Sequence, residues 1–190
     1  MNWLNAELTV NLGMTSQQEQ PTGASRGTRM LTAFGETPEQ ISAELQKALE
    51  RFQVALPECQ GHWLISPAPG RWSPAQVTEH VLNVNEVVAE IAAQLLSQTP
   101  RLPPPSGPGQ VIGGKRVSPE RLEPGSGLAW ADLAGRWQAA CERLNAVSAR
   151  LQDADLSRRY AHPFLGEIDA HDWLRMATFH TRHHRKQLEE

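Results

Sequence analysis

The sequence lacks several features that would each have pointed to a class. It has two cysteines, Cys59 and Cys141, far apart and in no CxxC pair. That excludes a disulfide framework and a cysteine-based zinc knuckle, and a reducing compartment is the simplest expectation. No run of about 18 apolar residues occurs, so no membrane span is predicted. Near the N-terminus stands acidic Glu7, with no basic region followed by an apolar run, so no signal peptide is expected and the location read from the sequence is cytoplasmic. Charge of one sign is also scarce: the formal net charge is -3. Nucleic acid is therefore not an expected partner, since phosphate binding needs a basic patch. The one basic run, Arg182-His183-His184-Arg185-Lys186, points in several directions on a helix and reads as a solvated face. There is no internal repeat, no Ser-His-Asp order and no glycine loop suited to phosphate.

What is present fits one soluble domain. The 190 residues are 39% hydrophobic and 21% charged, ordinary values for a globular chain. Residues 1–36 read as a flexible lead, because Thr15 to Thr28 is rich in Ser, Thr, Gln and Gly with no apolar period. Within it, Trp3 to Leu12 fits a strand or a helix fragment equally. The domain is expected over 37–190.

Two helices announce their starts in the same way. Thr37-Pro38-Glu39-Gln40 and Ser73-Pro74-Ala75-Gln76 each combine an N-cap, a proline at the first helical position and a glutamine that can close a capping box. Ile41, Leu45, Ala48, Leu49 and Phe52 follow the first at helical spacing, and Pro57 ends it. Glu58 to Trp72 is loop. Val77, Val81, Val84, Val88, Ile91 and Leu95 follow the second. Five of these six are β-branched, but their period is near 3.6 and the run is long, which predicts a helix. Residues 97–127 concentrate prolines and glycines, seven of the 14 prolines and six of the 14 glycines, and read as a long loop covering one end of the fold; loops of this length are usually functional or mobile. A third helix is predicted over Leu128 to Leu151, with Leu133, Trp137, Ala140, Leu144 and Val147 as its stripe. A fourth starts at Asp169, an N-cap with Asp172 in the first turn. Four amphipathic helices and no convincing strand pattern predict an all-α four-helix bundle.

Seven histidines occur, and helical angles sort them. An ideal helix turns about 100° per residue. With His180 as origin, Trp173 falls at about +20°, Met176 at about -40°, Ala177 at about +60° and His184 at about +40°. His180 and His184 thus lie inside the apolar stripe, His183 at its edge and His171 off it. With His80 as origin, Val77 falls at about +60°, Val84 at about +40° and Ile91 at about +20°, so His80 also faces the core, while Glu79 and Glu86 point away. A buried imidazole is costly unless its nitrogens find partners. Two readings stand side by side: histidines satisfied within the core, or three imidazoles sharing one cation. Spacing of i and i+4 puts His180 and His184 one turn apart on one face, and His80 would complete a facial His₃ set that leaves a position for water or substrate.

These residues also carry a family resemblance. Pro69-Gly70-Arg71-Trp72-Ser73-Pro74 followed by His80, and then His162-Pro163-Phe164-Leu165-Gly166, Trp173, His180, His184 and Gln187, resemble in order and separation the two signatures of the DinB/YfiT-like family (DinB superfamily) of proposed metalloenzymes. The resemblance covers about 37–190. It implies an up-down-down-up four-helix bundle, one divalent metal ion (zinc or nickel) held by His80, His180 and His184, and a homodimer. Its relatives include bacillithiol transferases and a mycothiol-dependent maleylpyruvate isomerase. The function expected on that basis is a metal-dependent thiol S-transferase whose partners are a small-molecule thiol and an electrophilic substrate. A metal-dependent hydrolase and a non-catalytic, stress-induced metal-binding bundle are the alternatives.

Other residues receive plainer readings. Arg71 reads as an exposed loop arginine rather than an anion ligand. Trp63, Trp72, Trp137 and Trp173 read mostly as packing anchors, though each could line a pocket. His162 reads as a turn residue, His183 as a surface residue beside the site, and Asn83 as a ligand-orienting residue only secondarily. Cys59 and Cys141 read as passive, since no local charge lowers a thiol pKa.

Overall fold

The computed structural model describes residues 30–104 and 107–189, without the side chains of residues 115 and 116. The segments 3–12 and 15–28 lie outside the described residues. Four long helices form the body: α1 (Pro38–Ala55), α2 (Pro74–Leu95), α3 (Trp130–Ser148) and α4 (Ala170–Leu188). Two short hairpins join them, β1 (Val111–Ile112) with β2 (Lys115–Arg116), and β3 (Tyr160–His162) with β4 (Gly166–Ile168), both antiparallel.

The capping chemistry is as read from the sequence. Gln40 N–H donates to Thr37 Oγ1 at 3.3 Å, and Thr37 N–H to Gln40 Oε1 at 3.4 Å. Ser73 and Gln76 exchange the same pair at 3.3 and 3.1 Å. Asp169 caps α4 by accepting from Asp172 N–H at 3.1 Å. α3 has no side-chain cap and is shorter than the predicted Leu128–Leu151. Gly127 holds φ at +94° just ahead of it, and Leu151 begins a separate 3₁₀ turn.

Cross-helix contacts set the directions. Ser42, early in α1, meets Ser148, at the end of α3, at 3.0 Å, so these two run antiparallel. Arg136 near the start of α3 bonds Asn83 and Glu86 of α2, and Arg150 just past α3 bonds the carbonyl of Leu96, so α2 and α3 run parallel. Arg175 of α4 reaches the carbonyl of Gly35 and Arg182 pairs with Glu44, so α4 runs with α1. The result is an up-down-down-up bundle, with a buried core of residues such as Ile41, Leu45, Phe52, Leu82, Leu133, Leu144 and Leu174.

Three features differ from the sequence reading. First, parallel α2 and α3 require the 97–127 segment to return along the bundle. α2 has 22 residues, about 33 Å at 1.5 Å each, so the segment flanks the bundle rather than covering one end. Second, strands are present. Each is only two or three residues long, too short to show an alternating pattern. Gly113 and Gly114, at φ +58° and +76°, make the tight β1–β2 turn that glycine permits. Third, the described end of the 1–36 lead packs on the bundle: Leu31 is buried and Phe34 meets Phe179 edge-on at 5.7 Å. At Gly35, φ is +118° and a Cβ would stand 2.5 Å from the amide of Ile41, so no other residue fits this entry into α1.

Candidate metal centre

His80 on α2 and His180 and His184 on α4 meet where the start of α2 crosses the end of α4. Their exposures are 0, 1 and 1%. One ring nitrogen from each lies within 4.8 Å of the others. Ring centroids are 5.0 Å apart for His80 and His180, 4.8 Å for His80 and His184, and 4.4 Å for His180 and His184. Among the described residues this is the one group of three or more His, Cys, Asp or Glu side chains placed to share an ion.

Hydrogen bonds orient the rings. His80 Nδ1 lies 2.7 Å from the carbonyl of Leu122, which can only accept, so Nδ1 carries the proton and Nε2 the lone pair. His184 Nδ1 lies 2.8 Å from Gln187 Oε1, which selects the same tautomer. Such outer partners are what hold imidazoles toward a metal. His180 Nε2 stands 3.1 Å from His80 Nε2. That separation suits an N–H···N hydrogen bond. It also suits two nitrogens on one ion, which at bond lengths of about 2.0–2.1 Å stand about 2.9–3.4 Å apart.

The electrostatics favour neutral rings. Burial pushes His80 down to about 4, against the pull of the Leu122 carbonyl. Burial, and then the neighbouring imidazoles, hold His180 well below the ordinary histidine range, and His184 falls likewise. Neutral imidazole is the ligating form. Three neutral nitrogen donors with no protein carboxylate or thiolate fit zinc, nickel or another borderline divalent ion. They leave coordination positions unfilled by the described residues.

The other sequence candidates sort by contact. Trp72 lies over the centre, 4.8 Å from His80 and 6.3 Å from His184. Trp137 is a packing anchor stacked on Phe52, and Trp63 donates its indole N–H to the carbonyl of Leu128. Trp173 packs on His162 at 5.2 Å. His162 holds the β3–β4 turn by accepting from Phe164 N–H. His183 is half-buried beside the site, 5.0 Å from His184. Arg71 is exposed. Asn83 binds Arg136 on the α2–α3 face and does not meet the centre. Cys59 is buried and bonds the carbonyls of Ala55 and Leu188, and burial pushes Cys141 up to about 11; neither approaches the imidazoles. The Leu122 carbonyl is the contributor that the sequence did not reveal, because a backbone group carries no side-chain signature.

A four-helix bundle with three converging, buried, neutral histidines defines the class: a helical protein built to be compatible with a divalent metal. The family follows from residues 39–188, which match the DinB superfamily, and the chain belongs to that superfamily. A four-helix bundle protein of known crystal structure is similar, at 25% identity and a TM-score of 0.56, over 81% of this chain and 98% of that chain. No curated protein matches. No helix among the described residues is long and apolar enough to cross a membrane.

Proposed function

We propose that this chain is a divalent-metal-dependent S-transferase that joins a low-molecular-weight thiol to an electrophilic substrate, working in the cytoplasm as a homodimer. The observation that carries the reading is the centre itself: three neutral imidazoles on two helices, within sharing distance, with His80 and His184 each oriented through Nδ1. A divalent ion bound there would act as a Lewis acid that favours the thiolate form of a thiol at neutral pH. The rest falls to the protein. Leu122 and Gln187 keep His80 and His184 in the ligating tautomer. Trp72 covers one side of the rings and restricts water. Membership of the DinB superfamily supports the metal, and the resemblance of the two sequence signatures to a family with thiol-dependent members supports the thiol.

The test is thiol conjugation to an electrophile panel by zinc- or nickel-loaded protein, beside His80→Ala, with metal content measured on both. The native protein should bind about one ion per chain and conjugate at least tenfold faster than the variant. Equal rates remove the proposal. Turnover of esters or amides with no thiol present replaces it with a hydrolase.

A further inference from the structure

The turn His162-Pro163-Phe164-Leu165-Gly166 belongs to the second sequence signature, yet it supplies no member of the triad. Its contacts lead instead to the 97–127 crossover between α2 and α3. The Pro163 carbonyl accepts from Gly109 N–H at 2.8 Å. The Phe164 ring lies so close to Gly109 that a Cβ there would stand 2.2 Å from it. No larger side chain fits at 109 while the ring keeps its place. At the start of β3, the Tyr160 hydroxyl donates to the Pro104 carbonyl at 3.2 Å. The hairpin therefore grips the crossover at two points.

The grip reaches His80 by a short path. Val117 N–H donates to the Gln110 carbonyl at 2.8 Å, and β1 pairs with β2, so this loop is closed and Gly109 is brought beside Ser118. Ser118 is buried, and Leu122 N–H donates to the Pro119 carbonyl at 2.8 Å in the 3₁₀ turn Glu120–Leu122. Leu122 then presents its own carbonyl to His80 Nδ1 at 2.7 Å. Pro119 and Leu122 also share the lining of one narrow crevice with Pro163 and Phe164, so the two ends of the path are neighbours in space. A backbone acceptor carried by a loop is held only by what holds the loop, and such outer acceptors orient a ligating imidazole.

We propose that Gly109 and the His162–Gly166 turn form a latch that positions the Leu122 carbonyl on His80, and so sets the ring's tautomer and the metal affinity of the centre from outside the ligand set. Gly109, Pro163 and Phe164 are positioning residues. The effect on metal affinity rests on the triad being a metal centre; the placement of the His80 ring does not.

The test is Gly109→Val in the full-length chain. The valine takes the place of the Phe164 ring and separates the 109 N–H from the Pro163 carbonyl. Two quantities are read. One is the His80 Nδ1–H signal in the ¹H–¹⁵N spectrum of the chelated protein, assigned by its absence from His80→Leu. The other is zinc affinity, by competition with a chromophoric chelator. Gly109→Val should lose or broaden the signal and lower zinc affinity about tenfold to a hundredfold, with helix content unchanged. Adding Phe164→Ala, which clears the space the valine needs, should restore the signal and most of the affinity. Tyr160→Phe, which removes one grip, should shift the signal and weaken zinc binding about two- to tenfold. An unchanged Nδ1–H signal in folded Gly109→Val overturns the latch, as does a double variant no better than the single one. Where Gly109→Val does not fold, an unchanged signal in Tyr160→Phe overturns it. A native protein that binds no zinc removes the metal reading, and the Nδ1–H signal still decides the latch.

Discussion

Two seams of this bundle pack helices by different means. Between α1 and α3, Phe52 stacks on Trp137 at 4.9 Å, and Leu45, Leu133 and Leu144 lie fully excluded from water. That seam rests mainly on shape and apolar area, with the Ser42–Ser148 hydrogen bond at one end made by the two helices themselves. Between α2 and α4, at the end where Trp72 lies, three imidazoles occupy equivalent interior positions at 0–1% exposure. That seam also needs acceptors, and one of them, the Leu122 carbonyl, comes from the crossover rather than from either helix. An apolar seam can be assembled from two helices alone. A polar one depends on a third element delivered by the chain's path, which is the usual requirement for buried polar groups.

The comparison can be broken in order of expected effect. Phe52→Ala should be the most damaging, at about 3–5 kcal/mol in urea unfolding, through the lost ring and the cavity left behind. Metal bound per folded chain should be unchanged. A parallel loss of metal would show that the two seams are not independent.

The next effect is acid sensitivity of the chelated protein. His80 sits at about 4 when folded, against an ordinary value of 6.5. Between those values the unfolded chain takes up a proton that the folded chain refuses. Stability is therefore complete above about pH 6.5 and falls as pH drops toward 4, by on the order of 3 kcal/mol from His80 alone. His180 and His184 act in the same direction. Urea midpoints at pH 7 and 4.5 read this out, with His80→Leu as the reference; an equal acid loss in that variant would remove His80 as its source.

The smallest effect is Gln187→Leu. It should leave the fold intact and lower zinc affinity about tenfold to a hundredfold, because His184 loses the acceptor that orients its ring. Competition with a chromophoric chelator measures this, and an unchanged affinity would confine Gln187 to a surface role.

Much of the bundle was legible in the residues because its signals are local. Thr37, Ser73 and Asp169 mark helix starts through side chains that bond three positions away. His80, His180 and His184 could be assigned to the core from angles along single helices. The hairpins were not legible, since two- and three-residue strands carry no period. Asn83 could not be placed either, because its neighbour Arg136 is on another helix. Cys59 and Cys141 were correctly passive, as burial raises both thiols.

The sequence alone determined four helices, the caps of three of them and the faces that carry the three histidines, because these depend on periodicity and contacts within a few residues. Only the tertiary structure decided that His80 meets His180 across a 3.1 Å gap, that the crossover returns along the bundle, and that the Leu122 carbonyl ends against an imidazole. Those outcomes depend on distances between residues 42 to 100 positions apart. Helix direction and packing set such distances, and no local pattern encodes them.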